Sequence, residues 1–373
     1  MKKILLIFTG GTICSCPVGE NNKNQSNAKG TASYLEEGYK NSSSPFKNQV
    51  GFIRRFLTQD ILSENMTVNC LSELIDIFKD KDLIEDCAGA IVLHGTDTLA
   101  YTSSLLSLAL AGLEIPVCMV SAQLDLKQEK TNGYDNFKAA VELIMNGIAP
   151  NVYVVYRNLL DSNHKAGKML VHFGAHLLQC PNHSNNFHSY DEMEIPDLSN
   201  ACLKGLPFET KERLFDRLDK LTDGVMQISP YTNLRYSNIS LDGVCAVVHG
   251  TYHSGSVCIG RAKEPDIQKE RNLTYGDVAE CDKPYSILGF LDKCKEKDIP
   301  LFLAPCDEND YRYGTTANAL HCGAWAIPNT TSCLAYAKMV LGCSLGIKGD
   351  ELRQFASKSI NREFVYENRH KDL

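Results

Sequence analysis

The chain has 373 residues, of which 43% are hydrophobic and 22% are charged, and its formal net charge is −7. This length and composition are typical of a globular protein with two domains. The negative charge, without a basic stripe, argues against binding to nucleic acid or to anionic membranes. The 15 cysteines form no paired CxxC pattern and are odd in number, which argues against a zinc site and favours a reducing cytoplasm over a disulfide scaffold.

Apolar runs and helical periodicity divide the first half of the chain into alternating elements. The predicted strands are 4–8, 88–93, 117–120 and 152–156, and the predicted helices are 67–79, 98–112 and 136–145. This alternation predicts a parallel sheet with right-handed crossovers. The first run is shorter than the roughly 7–15 apolar residues of a secretory signal, so we expect a buried strand there. Residues 15–50 are rich in Asn, Ser, Lys and Gly and predict a long mobile loop.

The pattern changes near residue 197, where a helix of mixed charge is predicted at 209–221 and turn residues follow it. We therefore expect an N-terminal domain at 1–205, a linker at 206–235 and a C-terminal domain at 236–373. The elements predicted in the last domain are strands at 243–248 and 300–304 and helices at 284–297 and 332–341. The predicted fold class is α/β, with a mostly parallel sheet flanked by helices in the larger N-terminal domain and a smaller α/β C-terminal domain.

Two predicted strands end on glycine followed by threonine, in Gly10-Gly11-Thr12 and in His94-Gly95-Thr96-Asp97-Thr98. Ligands of open parallel sheets bind beyond the carboxyl ends of the strands. Glycines let the backbone approach a ligand and expose amide N–H groups, which suits a carboxylate or a developing oxyanion. Each loop alone is also explained as an ordinary turn with a helix cap. Two such loops about 80 residues apart favour a functional site.

Motifs for nucleotides are absent from the sequence. The spacing around Gly10-Gly11 is not GxGxxG, and no acidic residue ends a second strand about 20 residues later, which disfavours a dinucleotide-binding dehydrogenase. The sequence GxxxxGK[ST] of a P-loop does not occur.

The two threonine loops resemble the two signatures of the bacterial L-asparaginases. Residues 3–13 are similar to the N-terminal signature and residues 93–99 to the second one, in the same order and spacing. Further segments that resemble family motifs are 60–66, 132–136, 187–189 and 323–331. The chain therefore resembles a divergent member of this family, close to the cytoplasmic type I enzymes, over nearly its whole length.

The resemblance implies a catalytic role for three residues. Thr12 is expected to be the nucleophile that attacks a side-chain amide, and Thr96 and Asp97 are expected to form a second polar group beside it. The implied reaction is hydrolysis of asparagine, or of a related small amide, to a carboxylate and ammonia. The family uses neither a metal nor an organic cofactor, and its members are homodimers or homotetramers.

The resemblance also implies a set of substrate-binding residues, namely Gly11, Gly95, Ser63 and Glu64. Ser63 and Glu64 are expected to hold the α-carboxylate and α-amino ends of the substrate, and the counterpart of Asp97 binds the α-amino group. The family closes its site with a tyrosine from the mobile N-terminal loop.

The tyrosines that fit this role by position are Tyr34 and Tyr39. An ordinary aromatic residue of a loop is the equal alternative for each of them.

One departure from the family concerns a lysine that partners the second threonine and the aspartate. Leu178 falls at its expected place, and His176 lies two residues earlier. A histidine carries protons near neutral pH, so His176 is a replacement to consider, beside an ordinary structural role. Lysines that reach the site if its loops are rearranged are Lys130, Lys165 and Lys168. A second departure is Leu124-Asp125, which stands in place of the family's Arg-Pro.

Three hypotheses follow. The first is an asparaginase-like amidohydrolase that uses Thr12. The second, motivated by the missing lysine, is a catalytically impaired protein that binds an amino acid. The third is an amidase for a larger peptide or specialised-metabolite amide, which a long loop at 15–50 would admit.

Overall fold

The computed structural model of the chain describes residues 1–18, 23–159, 167–179, 186–190, 193–195, 205–267, 271–306 and 313–365. The chain forms two compact units. The first comprises Met1–Leu221 with Ile360–Arg362, and the second comprises Thr222–Ser359 with Glu363–Leu373. In the described ranges, no helix combines the length and the apolar character needed to cross a membrane.

The first unit contains nine strands in the described part of the chain. They are β1 (Lys2–Gly10), β2 (Ser15–Val18), β3 (Lys23–Ser26), β4 (Val50–Ile61), β5 (Cys87–Leu93), β6 (Val117–Val120), β7 (Val152–Arg157), β8 (Met169–Phe173) and β9 (Met193–Ile195). Seven of them form one sheet in the order β4-β1-β5-β6-β7-β8-β9. Neighbouring strands from β4 to β7 in this order are parallel. β8 is antiparallel to β7, and β9 is antiparallel to β8. β2 and β3 pair separately as an antiparallel sheet. The prediction of a mostly parallel sheet is confirmed.

The helices of the first unit are α1 (Ala28–Lys40), α2 (Val68–Ile77), α3 (Lys81–Glu85), α4 (Leu99–Ala109) and α5 (Gly133–Met145). Apolar runs without alternation predict strands that are covered on both faces. In agreement, the side chains of β1 from Ile4 to Phe8 are all fully buried. The central strands and the helices α2, α4 and α5 follow the predicted pattern.

The prediction of a mobile loop at 15–50 is wrong, since the described part of this segment holds β2, β3 and α1. The Asn27 side chain accepts the Gly30 N–H at the start of α1. One face of the helix is buried, through Ala28, Thr31, Ala32, Leu35 and Tyr39. Small and polar residues form much of this face, so the composition concealed its helical spacing.

The predicted helix at 209–221 is also wrong. Only Leu214–Arg217 forms a 3-10 turn there. Beyond this turn, the backbone of the stretch bonds to side chains of another segment. The Lys79 ammonium donates to the Leu218 carbonyl, and the Leu221 N–H donates to the Ser72 hydroxyl.

The second unit is a smaller α/β structure with a four-stranded sheet, as predicted. Its strands, in sheet order, are β10 (Val225–Ile228), β11 (Ala246–His249), β12 (Leu301–Cys306) and β13 (Trp325–Pro328). All neighbouring pairs are parallel. Its helices in the described ranges are α6 (Ile287–Glu296), α7 (Gly314–His321), α8 (Ser332–Ser344) and α9 (Gly349–Ser357).

The chain leaves the first unit after Leu221. This boundary lies within the stretch 206–235, for which a linker is expected. Part of that stretch is β10, which belongs to the second sheet. The short segment Ile360–Arg362 returns to the first unit, a feature that no local sequence pattern announces.

Candidate active site

Three loops meet at one edge of the first sheet. β1 lies between β4 and β5 and runs parallel to both, so the loops after these strands leave from the same edge. The ends of β1 and β5 are tied directly, because the Thr9 hydroxyl donates to the Leu93 carbonyl at 3.0 Å. The three loops carry the residues singled out from the sequence.

The loops touch through glycine backbone. A Cβ on Gly11 would lie 2.2 Å from the Cα of Gly95, and a Cβ on Gly95 would lie 2.4 Å from the Ser63 hydroxyl oxygen. Gly11 has φ of 78° and ψ of −175°, a region that is essentially restricted to glycine. No side chain fits between these loops, so Gly11, Gly95 and Ser63 form one surface, as the sequence predicts for a shared site.

Thr12 begins a 3-10 turn, Thr12–Cys14, directly after this contact. The turn is fixed on its N-terminal side, where the Gly11 N–H donates to the Ile61 carbonyl at 2.9 Å. On its other side, the Ser15 hydroxyl donates to the Gly11 carbonyl at 2.8 Å. The Thr12 side chain is half-buried, and its hydroxyl makes no hydrogen bond to any described residue.

Thr96 lies on the opposite loop and is 9% exposed. Within the described ranges, neither its hydroxyl nor its backbone N–H has a hydrogen-bond partner, and the same holds for the backbone N–H of Thr12. The site therefore offers two hydroxyls and two amide donors that the described residues leave unused.

Ser63 organises the loop that carries Asp97. Its hydroxyl donates to Asp97 Oδ2 at 3.2 Å and accepts the Asp97 backbone N–H at 3.1 Å, while the Thr98 hydroxyl donates to the Ser63 carbonyl at 2.8 Å. The hydroxyl hydrogen of Ser63 is thus used on Asp97, and a direct role toward a substrate stays a prediction. The neighbouring Glu64 is exposed, without a hydrogen bond or ion pair of its side chain to the described residues.

The contacts of His176 involve other residues than Thr96 and Asp97. Its Nε2 lies 2.9 Å from the Arg362 carbonyl, and its ring packs edge-on against Phe173 at 5.0 Å. Both contacts fix the ring in the packed interior of the first unit, so the expectation that it replaces the family lysine gains no support.

Gln179 is the residue that contacts the loop of Thr96 and Asp97, since its Nε2 donates to the Asp97 carbonyl at 2.9 Å. The sequence analysis missed it. Over the described part of the chain, no lysine contacts Thr96 or Asp97. Lys130 and Lys168 lie in that part, and Lys165 lies outside it.

The two tyrosines lie on α1 and not on a loop. Tyr39 is 2% exposed, and its hydroxyl is 3.1 Å from the Ser44 hydroxyl. The side chain belongs to the core, where burial raises the pKa of its phenol, so the structure gives no support to a role for Tyr39 in closing the site. Tyr34 is 41% exposed, with the Lys127 ammonium 6.0 Å from its ring centre. Only Tyr34 is therefore accessible.

His94, which follows β5, is held neutral. Burial lowers its pKa to about 4, and Nδ1 lies 2.7 Å from the Gly95 carbonyl. In the neutral ring Nδ1–H donates to this carbonyl and fixes the peptide between Gly95 and Thr96. The second unit repeats the arrangement at His249 and Gly250, where burial also lowers the histidine pKa to about 4.

Among the described residues, no group of three or more His, Cys, Asp or Glu side chains is arranged to bind a metal ion. The chemistry of the site is that of hydroxyls, backbone amides and the Asp97 carboxylate.

Comparison with known proteins agrees with this geometry. The family described as "Asparaginase, N-terminal" matches residues 3–194. The chain is 26% identical over 210 residues to an L-asparaginase of Thermococcus kodakarensis, over 54% of each protein. It is 25% identical over 212 residues to L-asparaginase 1 of Escherichia coli K12, over 54% of this chain and 53% of that one. The aligned region thus spans about half the length of these relatives.

A solved structure extends the likeness to the whole chain at the level of the fold. The thermostable L-asparaginase of Thermococcus kodakarensis superposes with a TM-score of 0.69 and 18% identity, covering 98% of this chain and 100% of that one. Because the family match spans just over half of the residues and includes both threonine loops, the chain belongs to the asparaginase family.

Proposed function

We propose that this chain is an amidohydrolase that cleaves the side-chain amide of asparagine, or of a related small amide, with Thr12 as the nucleophile. The observation that carries the proposal is the contact between Gly11 and Gly95. It brings together two loops whose threonine hydroxyls and amide N–H groups have no other partner among the described residues.

The proposed reaction has two steps. The Thr12 oxygen attacks the amide carbon, and the negative charge that develops on the amide oxygen is stabilised by the unused N–H groups of Thr12 and Thr96. The C–N bond then breaks, the leaving nitrogen takes the proton that the Thr12 hydroxyl has given up, and ammonia departs, which leaves an ester on Thr12. Water cleaves this ester, releases the carboxylate and restores the hydroxyl.

Substrate recognition is proposed to depend on Asp97. The Ser63 hydroxyl orients its carboxylate through Oδ2, and no described residue forms an ion pair with it. An ammonium group on the substrate would supply the missing charge. Gly11 and Gly95 would form the floor beneath the substrate, and the exposed Glu64 would add a second acidic group.

A second candidate function is binding of an amino acid without turnover. It is favoured by one observation, the lack of a lysine beside Thr96 and Asp97 in the described part of the chain. A larger amide as substrate loses the argument that suggested it, because the described part of 15–50 forms strands and a helix.

Ammonia release from a panel of small amides tests the proposal, with Thr12→Val as the variant that keeps the shape of the side chain and lacks its hydroxyl. We expect turnover of at least one amino-acid amide by the wild type and none by Thr12→Val. Calorimetry with aspartate is run in parallel. Tight binding of aspartate without turnover of any amide would favour the second candidate and count against the first.

We also propose that the chain is a cytoplasmic homodimer or homotetramer. Support comes from the resemblance to the cytoplasmic type I enzymes and from the cysteines, since twelve of them, from Cys14 to Cys343, are free thiols. Light scattering of the purified protein tests the assembly, and a clean monomer would contradict it.

A further inference from the structure

Gln179 is presented to the site by an anchored segment. Upstream, the Ser103 hydroxyl of α4 donates to the Gly174 carbonyl at 3.0 Å. Next to Gln179, the Leu178 N–H donates to the His188 carbonyl at 2.9 Å. The backbone that carries the Gln179 side chain is therefore held at two points before the side chain reaches out.

The Asp97 carbonyl accepts no backbone hydrogen bond at the start of α4. The first bonds around the helix start use other carbonyls, since the Leu99 N–H donates to Thr96 and the Thr102 N–H donates to Thr98. Gln179 Nε2 donates to the Asp97 carbonyl at 2.9 Å. With its N–H on the Ser63 hydroxyl, Asp97 is thus fixed on both sides of its Cα.

The hydrogen bond from Gln179 to Asp97 comes from a neutral group, so it leaves the charge of the Asp97 carboxylate uncompensated. A lysine at this place would pair with Asp97 and compete with a cationic ligand. An amide that donates to the backbone fixes the residue without neutralising it. The Asp97 side chain is exposed and keeps its charge available.

We propose that Gln179 is a positioning residue that holds the Asp97 carboxylate ready for the ammonium group of an amino-acid amide, an inference that rests on the function proposed above. Gln179 touches the backbone of Asp97 and acts through it. In this chain it performs the placement of Asp97, while the ligand supplies the positive charge.

The test compares two ligands, aspartate and succinate, which differ only in the α-ammonium group. Gln179→Met keeps the length of the side chain and removes its donor, and Gln179→Lys restores a donor. The matched control is Gln49→Met, because Gln49 is an exposed glutamine whose Nε2 donates to the Pro45 carbonyl at 3.2 Å. Dissociation constants come from calorimetry, and hydrogen exchange of peptides covering residues 95–105 is followed without ligand.

We expect Gln179→Met to weaken aspartate by about tenfold, which corresponds to one hydrogen bond, and to leave succinate unchanged. KM for the amide substrate should rise by a similar factor with little change in kcat, and exchange near Asp97 should accelerate. Gln179→Lys should slow the exchange again, because it restores a donor, but should leave aspartate weakened, because its positive charge competes with the α-ammonium group of the ligand. Gln49→Met should behave as wild type.

An unchanged preference for aspartate over succinate in Gln179→Met would overturn the inference. An equal loss of both ligands would do the same, since it indicates a general structural defect. If the wild type neither binds aspartate nor releases ammonia, the proposed function fails. The exchange data then decide separately whether Gln179 holds the loop, and unchanged exchange in Gln179→Met would refute that too.

Discussion

Replacing Gly11 by alanine tests the contact on which the site depends. The φ of 78° and ψ of −175° place Gly11 in a region that costs other residues about 1–3 kcal/mol. The new Cβ would also lie 2.2 Å from the Gly95 Cα, whereas ordinary contact begins at 3.4 Å. The two loops must therefore separate by roughly 1 Å, a displacement that lowers reaction rates by about 100-fold when it misplaces reacting groups.

A control variant separates the cost of the backbone conformation from the cost of the clash with Gly95. Gly147 also has a positive φ, of 79°, but a Cβ there meets nothing within 4 Å. Gly147→Ala should lose about 1–2 kcal/mol of stability from its backbone conformation and keep full activity.

Thermal unfolding and ammonia release are measured on both variants and on the wild type. We expect Gly11→Ala to lower Tm by about 4–8 °C, at roughly 2–4 °C per kcal/mol for a unit of this size. Its kcat/KM should fall by about two orders of magnitude, while that of Gly147→Ala stays at the wild-type level. If Gly11→Ala keeps wild-type kcat/KM, the contact between the loops does not organise the site and the argument is refuted.

Three further predictions concern buried or reactive groups. Lys338 and Glu363 form a fully buried ion pair, so Lys338→Met should cost about 3–5 kcal/mol in chemical denaturation, and adding Glu363→Gln should recover much of it; equal costs for the single and double variants would contradict this. A hydrogen bond from Cys343 lowers the pKa of Cys245, so alkylation of Cys245 should have its midpoint below that of an ordinary thiol, and Cys343→Ala should move the midpoint upward. The pKa of about 4 for His94 lies below its ordinary value, so the unfolded chain binds the extra proton between pH 6.5 and 4 and stability falls as pH falls through that window. The free energy of unfolding of His94→Gln should show a shallower slope there, and a slope equal to that of the wild type would contradict the assignment.

The strands of the first sheet were predictable because their signal is local. An unbroken apolar run such as residues 4–8 needs cover on both faces, and that requirement leads directly to a parallel sheet with helices on each side. The ends of these runs are marked by glycines, so the positions of Gly11 and Gly95 at one edge also follow from the sequence.

The errors arise where packing decides against composition. The helix α1 begins in a segment rich in Asn and Lys, and Tyr39 is its largest buried residue. A tyrosine in such a polar stretch reads as a loop residue until the surface that covers it is known. The same holds for 209–221, whose backbone bonds to Ser72 and Lys79, far away in the sequence.

The partner of the second loop could not be predicted for a related reason. Gln179 lies 82 residues after Asp97, and glutamine carries no pattern that marks it as a contact for a backbone carbonyl. Alignment with the family directs attention to a charged side chain that this sequence lacks. The folded structure is needed to show that the neutral side chain of Gln179 donates to the loop of Asp97.

The two threonines are therefore not equivalent. Thr12 is half-buried on a turn fixed on both sides of Gly11, so its hydroxyl is both accessible and well placed. Thr96 is 9% exposed and lies beside the Asp97 loop. Neither threonine hydroxyl has a base as hydrogen-bond partner among the described residues, so the difference between them is access, which favours Thr12 for attack and leaves the Thr96 N–H to donate to an oxyanion. We therefore propose that the two loops have different roles, Thr12 in attack and the loop of Thr96 and Asp97 in charge stabilisation and placement of the substrate.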